Sequence, residues 1–230
     1  MSTRPLVIAI DGPAASGKSS TAQWVAKQLG IHHVDSGAIY RALTAVALEQ
    51  EPDTSRWSPA LVLDGGRRVT VVPGERTFIA LIDGERDDER LRSGEVTAGV
   101  SVVASIAEAR EWVNAQVRAA ALLHAVVVDG RDIGTVVFPS ATLKIFLVAD
   151  SWERARRRLQ QRLGRAPADD EIAEETELLV RRDAADQTQT VQARDAVLLD
   201  TTYLTQSDQV ARIVALARAV MERESDGAAE

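Results

Sequence analysis

Five short apolar runs punctuate the chain: LVIAI at 6–10, HHVD at 32–35, AVVVD at 125–129, LKIFLV at 143–148 and AVLLD at 196–200. Most are continuous rather than alternating, the pattern of strands buried on both faces. Between them, residues 18–29, 38–50, 105–123, 151–163, 170–185 and 206–222 place apolar side chains at three- and four-residue spacing, as helices with one buried face do. Strands alternating with helices predict an α/β fold, a parallel five-stranded sheet with helices on both faces and right-handed crossovers.

The interval 62–92 breaks this rhythm. RRVTVVPGERTFIALIDGE holds two β-rich stretches around Pro73-Gly74, with a second turn at Asp83-Gly84, and reads as an antiparallel hairpin in a small insertion. At 230 residues the chain fits one domain carrying such an insertion. The core then comprises 1–61, 93–150 and 191–222, and the polar tail at 223–230 is expected to fray.

Charge and composition narrow the partners. A formal net charge of -7 and 4% aromatic residues argue against a surface that coats nucleic acid or an anionic membrane. Any anion site must be local. No cysteine is present, which excludes disulfides and thiolate metal sites and suits a reducing cytoplasm. The opening MSTRPLVIAIDG does not read as a signal peptide, and no apolar run approaches the ~18 residues of a membrane span. These features predict a cytoplasmic monomer without membrane or nucleic-acid partners.

The stretch Gly12 to Ser19 matches G-x-x-x-x-G-K-[ST] between a predicted strand and a predicted helix. Gly12 and Gly17 let backbone N–H groups turn inward around an anion, with the helix dipole behind them. Gly12, Pro13, Ala14, Ala15, Ser16, Gly17, Lys18, Ser19 and Ser20 are therefore candidate contacts to a polyphosphate, the P-loop of a nucleotide site. Lys18 would reach the terminal phosphates, and the Ser19 hydroxyl would bind Mg2+.

Further chemistry clusters at the ends of the later strands. DSGAIYRALT puts Ser36, Tyr40 and Arg41 after the second strand, where ligands of such sheets bind. VVVDGRDIGTVVFP puts Asp129 at a strand end that often steers Mg2+, followed by Arg131 and Asp132. RARRRLQQRLGR at 154–165 carries six arginines and no acid, and VRRDAADQTQT at 180–190 adds Arg181, Arg182 and Asp186. Guanidinium groups on a closing flap would stabilise the charge of a transferring phosphoryl group, so about 151–190 reads as a helical lid, with Arg158 facing that group.

In this order, IDGPAASGKSS, DSGAIYR, DGRDIGTVVFP, KIFLVAD and RRDAAD resemble the bacterial-type cytidylate kinases over nearly the whole chain. The most specific elements are DSGAIYR and GRDIGTVVFP. The resemblance implies a nucleoside-monophosphate-kinase fold, with monophosphate bound by the insertion at 62–92. It also implies transfer of the ATP γ-phosphoryl group to CMP or dCMP, with magnesium. Carried over by position, Ser36, Arg41, Ser101, Arg110, Arg131, Asp132, Arg182 and Asp186 become the acceptor contacts. Of these, Ser101, Arg110 and Asp132 would read the cytosine, whose amino donor beside ring acceptors suits a carboxylate and a guanidinium. Asp186 would hold ribose hydroxyls. One position departs: many members carry arginine three residues after the match to Asp186, and here Gln189 stands, so that the contact is lost or Arg194 or Arg181 supplies it. The nearest rival reading is a P-loop kinase for another small acceptor such as UMP.

Overall fold

The computed structural model describes residues 5–227; residues 1–4 at the start of the chain and 228–230 of the tail lie outside the described residues. Seven strands form among the described residues: β1 (Val7–Asp11), β2 (His32–Asp35), β3 (Val69–Pro73), β4 (Phe78–Ile82), β5 (Val126–Asp129), β6 (Leu143–Val148) and β7 (Val197–Asp200). Five make one sheet in the order β2-β5-β1-β6-β7, every neighbouring pair parallel. The strand leading into the glycine-rich loop is thus central. Its register aligns Ile10 with Asp129, and Asp129 with Asp35, so three acids, Asp11, Asp35 and Asp129, collect at the carboxyl edge where ligands of such sheets bind.

Nine α-helices accompany the strands among the described residues: α1 (Lys18–Leu29), α2 (Ser36–Gln50), α3 (Pro59–Gly65), α4 (Asp88–Leu91), α5 (Gly94–Ser105), α6 (Ala107–Leu123), α7 (Ser151–Leu163), α8 (Asp169–Ala185) and α9 (Gln206–Gly227). Strand side chains alternate between two core layers. Val7, Ala9 and Val128 pack with α2, α3 and α6, whereas Ile8, Ile10 and Val127 pack against Val25 of α1 and Ile213 of α9. Burying Ile8 and Ile10 completely contributes about 1.5–3 kcal/mol each.

Two elements escape the periodicity. α5, GEVTAGVSVVAS, is rich in β-branched residues and contains Gly99, all poor helix formers. It forms because it packs on α2 at short range: a Cβ on Gly99 would lie 3.1 Å from both Thr44 Cγ2 and Trp57 Cη2. Ile106, with extended backbone, separates α5 from α6. α3 is a single short segment capped by Ser58, whose hydroxyl accepts from Leu61 N at 3.2 Å.

β3 and β4 pair antiparallel from Val69↔Ile82 to Pro73↔Phe78, closed where Gly74 N donates to Thr77 O at 2.9 Å. α9 extends through Gly227, and the remainder of the tail expected to fray, 228–230, lies outside the described residues.

Candidate active site

The loop between β1 and α1 is shaped by three left-handed residues: Gly12 (φ 148°), Ala15 (φ 57°) and Gly17 (φ 87°). At Gly12 no larger residue fits, because a Cβ would stand 2.1 Å from the Leu147 carbonyl oxygen. α1 then starts with no side-chain cap and no acid in its first turn, which leaves its amides free for an anion. Lys18 is buried, its Nζ donating to Pro13 O (2.5 Å) and Ser16 Oγ (3.4 Å). Burial, and next the Arg131 guanidinium, push its ammonium well below the usual lysine range.

A buried chain of polar groups adjoins the loop. Ser19 Oγ donates to Asp129 Oδ2 at 2.5 Å, His33 Nε2 meets Asp129 Oδ1 at 2.7 Å, and Ser36 Oγ donates to the Asp129 carbonyl at 2.7 Å. Burial alone would raise the Asp129 carboxyl and lower the His33 imidazole; their mutual bond reverses both, holding Asp129 low and His33 high. Asp35 is raised by burial and by Asp129, and its Oδ1 caps α2 by accepting from Ala38 N at 3.0 Å. That cap sets the helix start that carries Ser36, Tyr40 and Arg41. The oxygens of Ser19 and Asp129 suit a hard divalent cation, and among the described residues no cluster of three or more His, Cys, Asp or Glu could hold one alone. Such an ion would take its remaining ligands from phosphates and water.

Both sides of this centre open into one cleft of about 1260 Å³. Ala14 to Ser20 of the loop line it, as do Ser36, Tyr40, Arg41, Ser101, Arg110, Asp129, Arg131, Asp132, Arg158, Arg182 and Asp186; Gly12 and Pro13 contribute backbone geometry instead. On the acceptor side Arg41 Nη1 donates to Thr97 Oγ1 at 3.1 Å, and burial lowers its guanidinium. Burial pushes the Tyr40 phenol up to about 12. Arg110 is ion-paired to Asp132 and also donates from Nη1 to Gln189 Oε1 at 2.7 Å. Arg131 Nε lies 3.3 Å from Asp186 Oδ2. Arg182, lowered to about 10 by burial and by Arg131, stands 3.9 Å from the same carboxylate, and its Nε has no hydrogen-bond partner.

At the departure, Gln189 itself lines the cleft. Gln189 braces Arg110 and donates to Ala104 O at 3.3 Å, whereas Arg181 pairs with Glu177 on the surface and neither Arg181 nor Arg194 lines the cleft. Within 62–92 the cleft wall is Asp88, Leu91 and Arg92, continued by Val100, Ser101 and Ala104 of α5; the β3–β4 hairpin stands outside it.

The arginine run divides into two uses. Arg156, Arg157 and Arg158 line the cleft, the first two held by Glu153 and the third by Glu175 at 3.1 Å. Arg162 and Arg165 pair with Glu175 and Glu171, so acids of α8 neutralise the run. Arg154 is buried: Nη1 donates to Ala14 O and pairs with Asp183 Oδ2, both at 2.7 Å, while Asp183 Oδ1 accepts from Ala14 N at 3.1 Å. With Ala14 packed among Ala155, Leu159, Ile172 and Leu179, these bonds dock α7 and α8 onto the loop. His33, Asp183 and Glu175 were not legible as site residues, since only the folded chain brings each to its partner, and Arg92 was not because only the fold places it on the cleft wall.

A family model described as cytidylate kinase matches residues 8–219. A cytidylate kinase of Chloroherpeton thalassium is 38% identical over 230 residues, covering 96% of this chain and 97% of the relative. One of a Geobacillus species is 41% identical over 212 residues, covering 90% and 94%. A solved but uncharacterised protein of Eubacterium ventriosum shares the fold, with a TM-score of 0.50 at 11% identity over 93% of this chain and 98% of that one. With the P-loop, the acidic strand ends and the cationic cleft in place, the chain belongs to the cytidylate kinase family.

Proposed function

We propose that this chain transfers the γ-phosphoryl group of ATP to the phosphate of CMP or dCMP in the cleft, giving ADP and CDP or dCDP. The observation that carries the reading is a set of one buried and two half-buried cations left short of anions around the loop. Among the described residues Lys18 and Arg41 hydrogen-bond only neutral groups, and Arg182 Nε bonds nothing. Burial disfavours all three charges, so polyphosphate and monophosphate are the natural complement.

The roles follow from position. The P-loop amides and Lys18 hold the donor phosphates, and Arg156, Arg157 and Arg158 neutralise the transferring group from the lid at 151–190. Arg41, Arg131 and Arg182 hold the acceptor phosphate. That phosphate is largely dianionic at pH 7, its second pKa being about 6, so no general base is needed and positioning carries the rate. Asp132, Arg110 and Ser101 read the cytosine, Tyr40 backs them, and Asp186 receives the ribose. Ser19 and Asp129 are the residues that would hold magnesium, which when bound supplies charge neutralisation on the phosphates. The acceptor wall is assigned to α4 and α5 rather than to the hairpin. The substrates are soluble nucleotides, and the enzyme is read as a cytoplasmic monomer; among the described residues no helix is long and apolar enough to cross a membrane.

The test is kcat/KM with Mg-ATP and, in turn, CMP, dCMP, UMP and AMP. CMP and dCMP should be preferred over UMP and AMP by well over tenfold. Preference for UMP would overturn the assignment of Ser101, Arg110 and Asp132.

A further inference from the structure

We propose that His33 is a positioning residue that locks the Asp129 carboxylate in the orientation its P-loop partner requires, linking the β3–β4 hairpin to the phosphate site. His33 is completely buried in β2. Its Nε2 lies 2.7 Å from Asp129 Oδ1, while Asp129 Oδ2 accepts from Ser19 Oγ at 2.5 Å. The two carboxylate oxygens therefore have different partners. The carboxylate cannot rotate without breaking both bonds. Its backbone is held as well, by Ser36 Oγ on the Asp129 carbonyl.

The imidazole is itself supported from outside the cleft. His33 N donates to Arg76 O at 2.9 Å, and Thr77 Oγ1 stands 3.5 Å from His33 Nδ1. Both residues belong to the turn that closes the hairpin, an element that does not line the cleft. With Nδ1 turned to the threonine hydroxyl, the ring is oriented to present Nε2–H to the carboxylate. A buried position in a sheet is filled at less desolvation cost by an aliphatic side chain, and the bond to Asp129 is what a histidine adds here. The consequence falls on Ser19, whose hydroxyl proton is committed to Oδ2, leaving its lone pairs for another ligand.

The proposal rests on the reading that Ser19 and Asp129 serve the metal-nucleotide complex. Its test compares wild type, His33→Leu and His33→Gln, the last keeping a donor near the ε position. Calorimetry measures ADP affinity with and without Mg2+, and kinetics give the KM for Mg2+ at saturating ATP beside kcat. In His33→Leu the magnesium-dependent gain in affinity should shrink about tenfold, the loss expected for one hydrogen bond to a charged group. Metal-free ADP affinity should stay at the wild-type value, and His33→Gln should recover most of the gain. Equal magnesium gains in wild type and His33→Leu overturn the role of His33. Absence of any magnesium gain in wild type instead overturns the metal reading beneath it. Should His33→Leu fail to fold, imidazole 15N spectra of the wild type decide: a protonated, slowly exchanging Nε2 supports the lock, and an unprotonated Nε2 overturns it.

Discussion

Replacing Asp132 by alanine tests the cytosine reading directly. Asp132 is paired with Arg110, with side-chain exposures of 10% and 20%. The carboxylate is thus shielded enough for a bond to the cytosine amino group to matter. A hydrogen bond to a charged group is worth about 1.5–3 kcal/mol, which is roughly a 10- to 150-fold loss in kcat/KM for CMP. UMP presents a carbonyl where CMP presents an amine, so its kcat/KM should hold or rise, and the CMP/UMP ratio should fall by the same factor. Arg110 keeps Gln189 Oε1 at 2.7 Å as an anchor. Breaking the pair should therefore cost up to about 3 kcal/mol of stability, which a thermal melt monitors before assay. The readout is ADP release in a coupled assay with each acceptor at varied concentration. Equal losses on CMP and UMP, or an unchanged ratio, would refute the assignment of Asp132 to the base.

Three further outcomes are expected. Lys18→Met should lower kcat by about 10²- to 10³-fold, yet leave the melting temperature of the nucleotide-free protein unchanged or higher, because a buried and disfavoured charge is removed; near-normal turnover would contradict the site. Gln189→Ala should raise the KM for CMP about tenfold with little change in kcat, the effect of one hydrogen bond from a charged guanidinium on a binding group, measured in the same assay. Asp11, raised by burial from 3.8 to about 6, binds more protons folded than unfolded between those values, so its contribution is fully present below about pH 4 and lost as pH rises through 6. The stability of wild type minus Asp11→Asn, from urea unfolding, should accordingly fall by about 2 kcal/mol from pH 4 to 6.5; a flat difference would refute the shift.

The sheet was legible because its inner strands β1, β5 and β6 are buried on both faces and therefore read as continuous apolar runs; the edge strands β2 and β7 are less covered, yet HHVD and VLLD still appear where expected. α5 was not legible, since its valines suit a strand locally, Gly99 favours no regular element, and only packing against Thr44 and Trp57 makes the segment helical. The P-loop was visible because phosphate binding demands residues at fixed spacing. The partners of its neighbours were not, because Asp129–His33, Ala14–Asp183 and Arg158–Glu175 join residues far apart in the chain. The arginine run illustrates the limit: at 154–165 the sequence shows charge without acids, while the fold supplies Glu171, Glu175 and Asp183 from the next helix and buries Arg154 as a strut.

The central claim is phosphoryl transfer to a cytidylate, and label transfer tests it most directly. With γ-32P-labelled ATP, Mg2+ and CMP, the label should appear in CDP in amounts equal to the ADP formed. Label accumulating as inorganic phosphate, at a rate indifferent to CMP, would contradict the account.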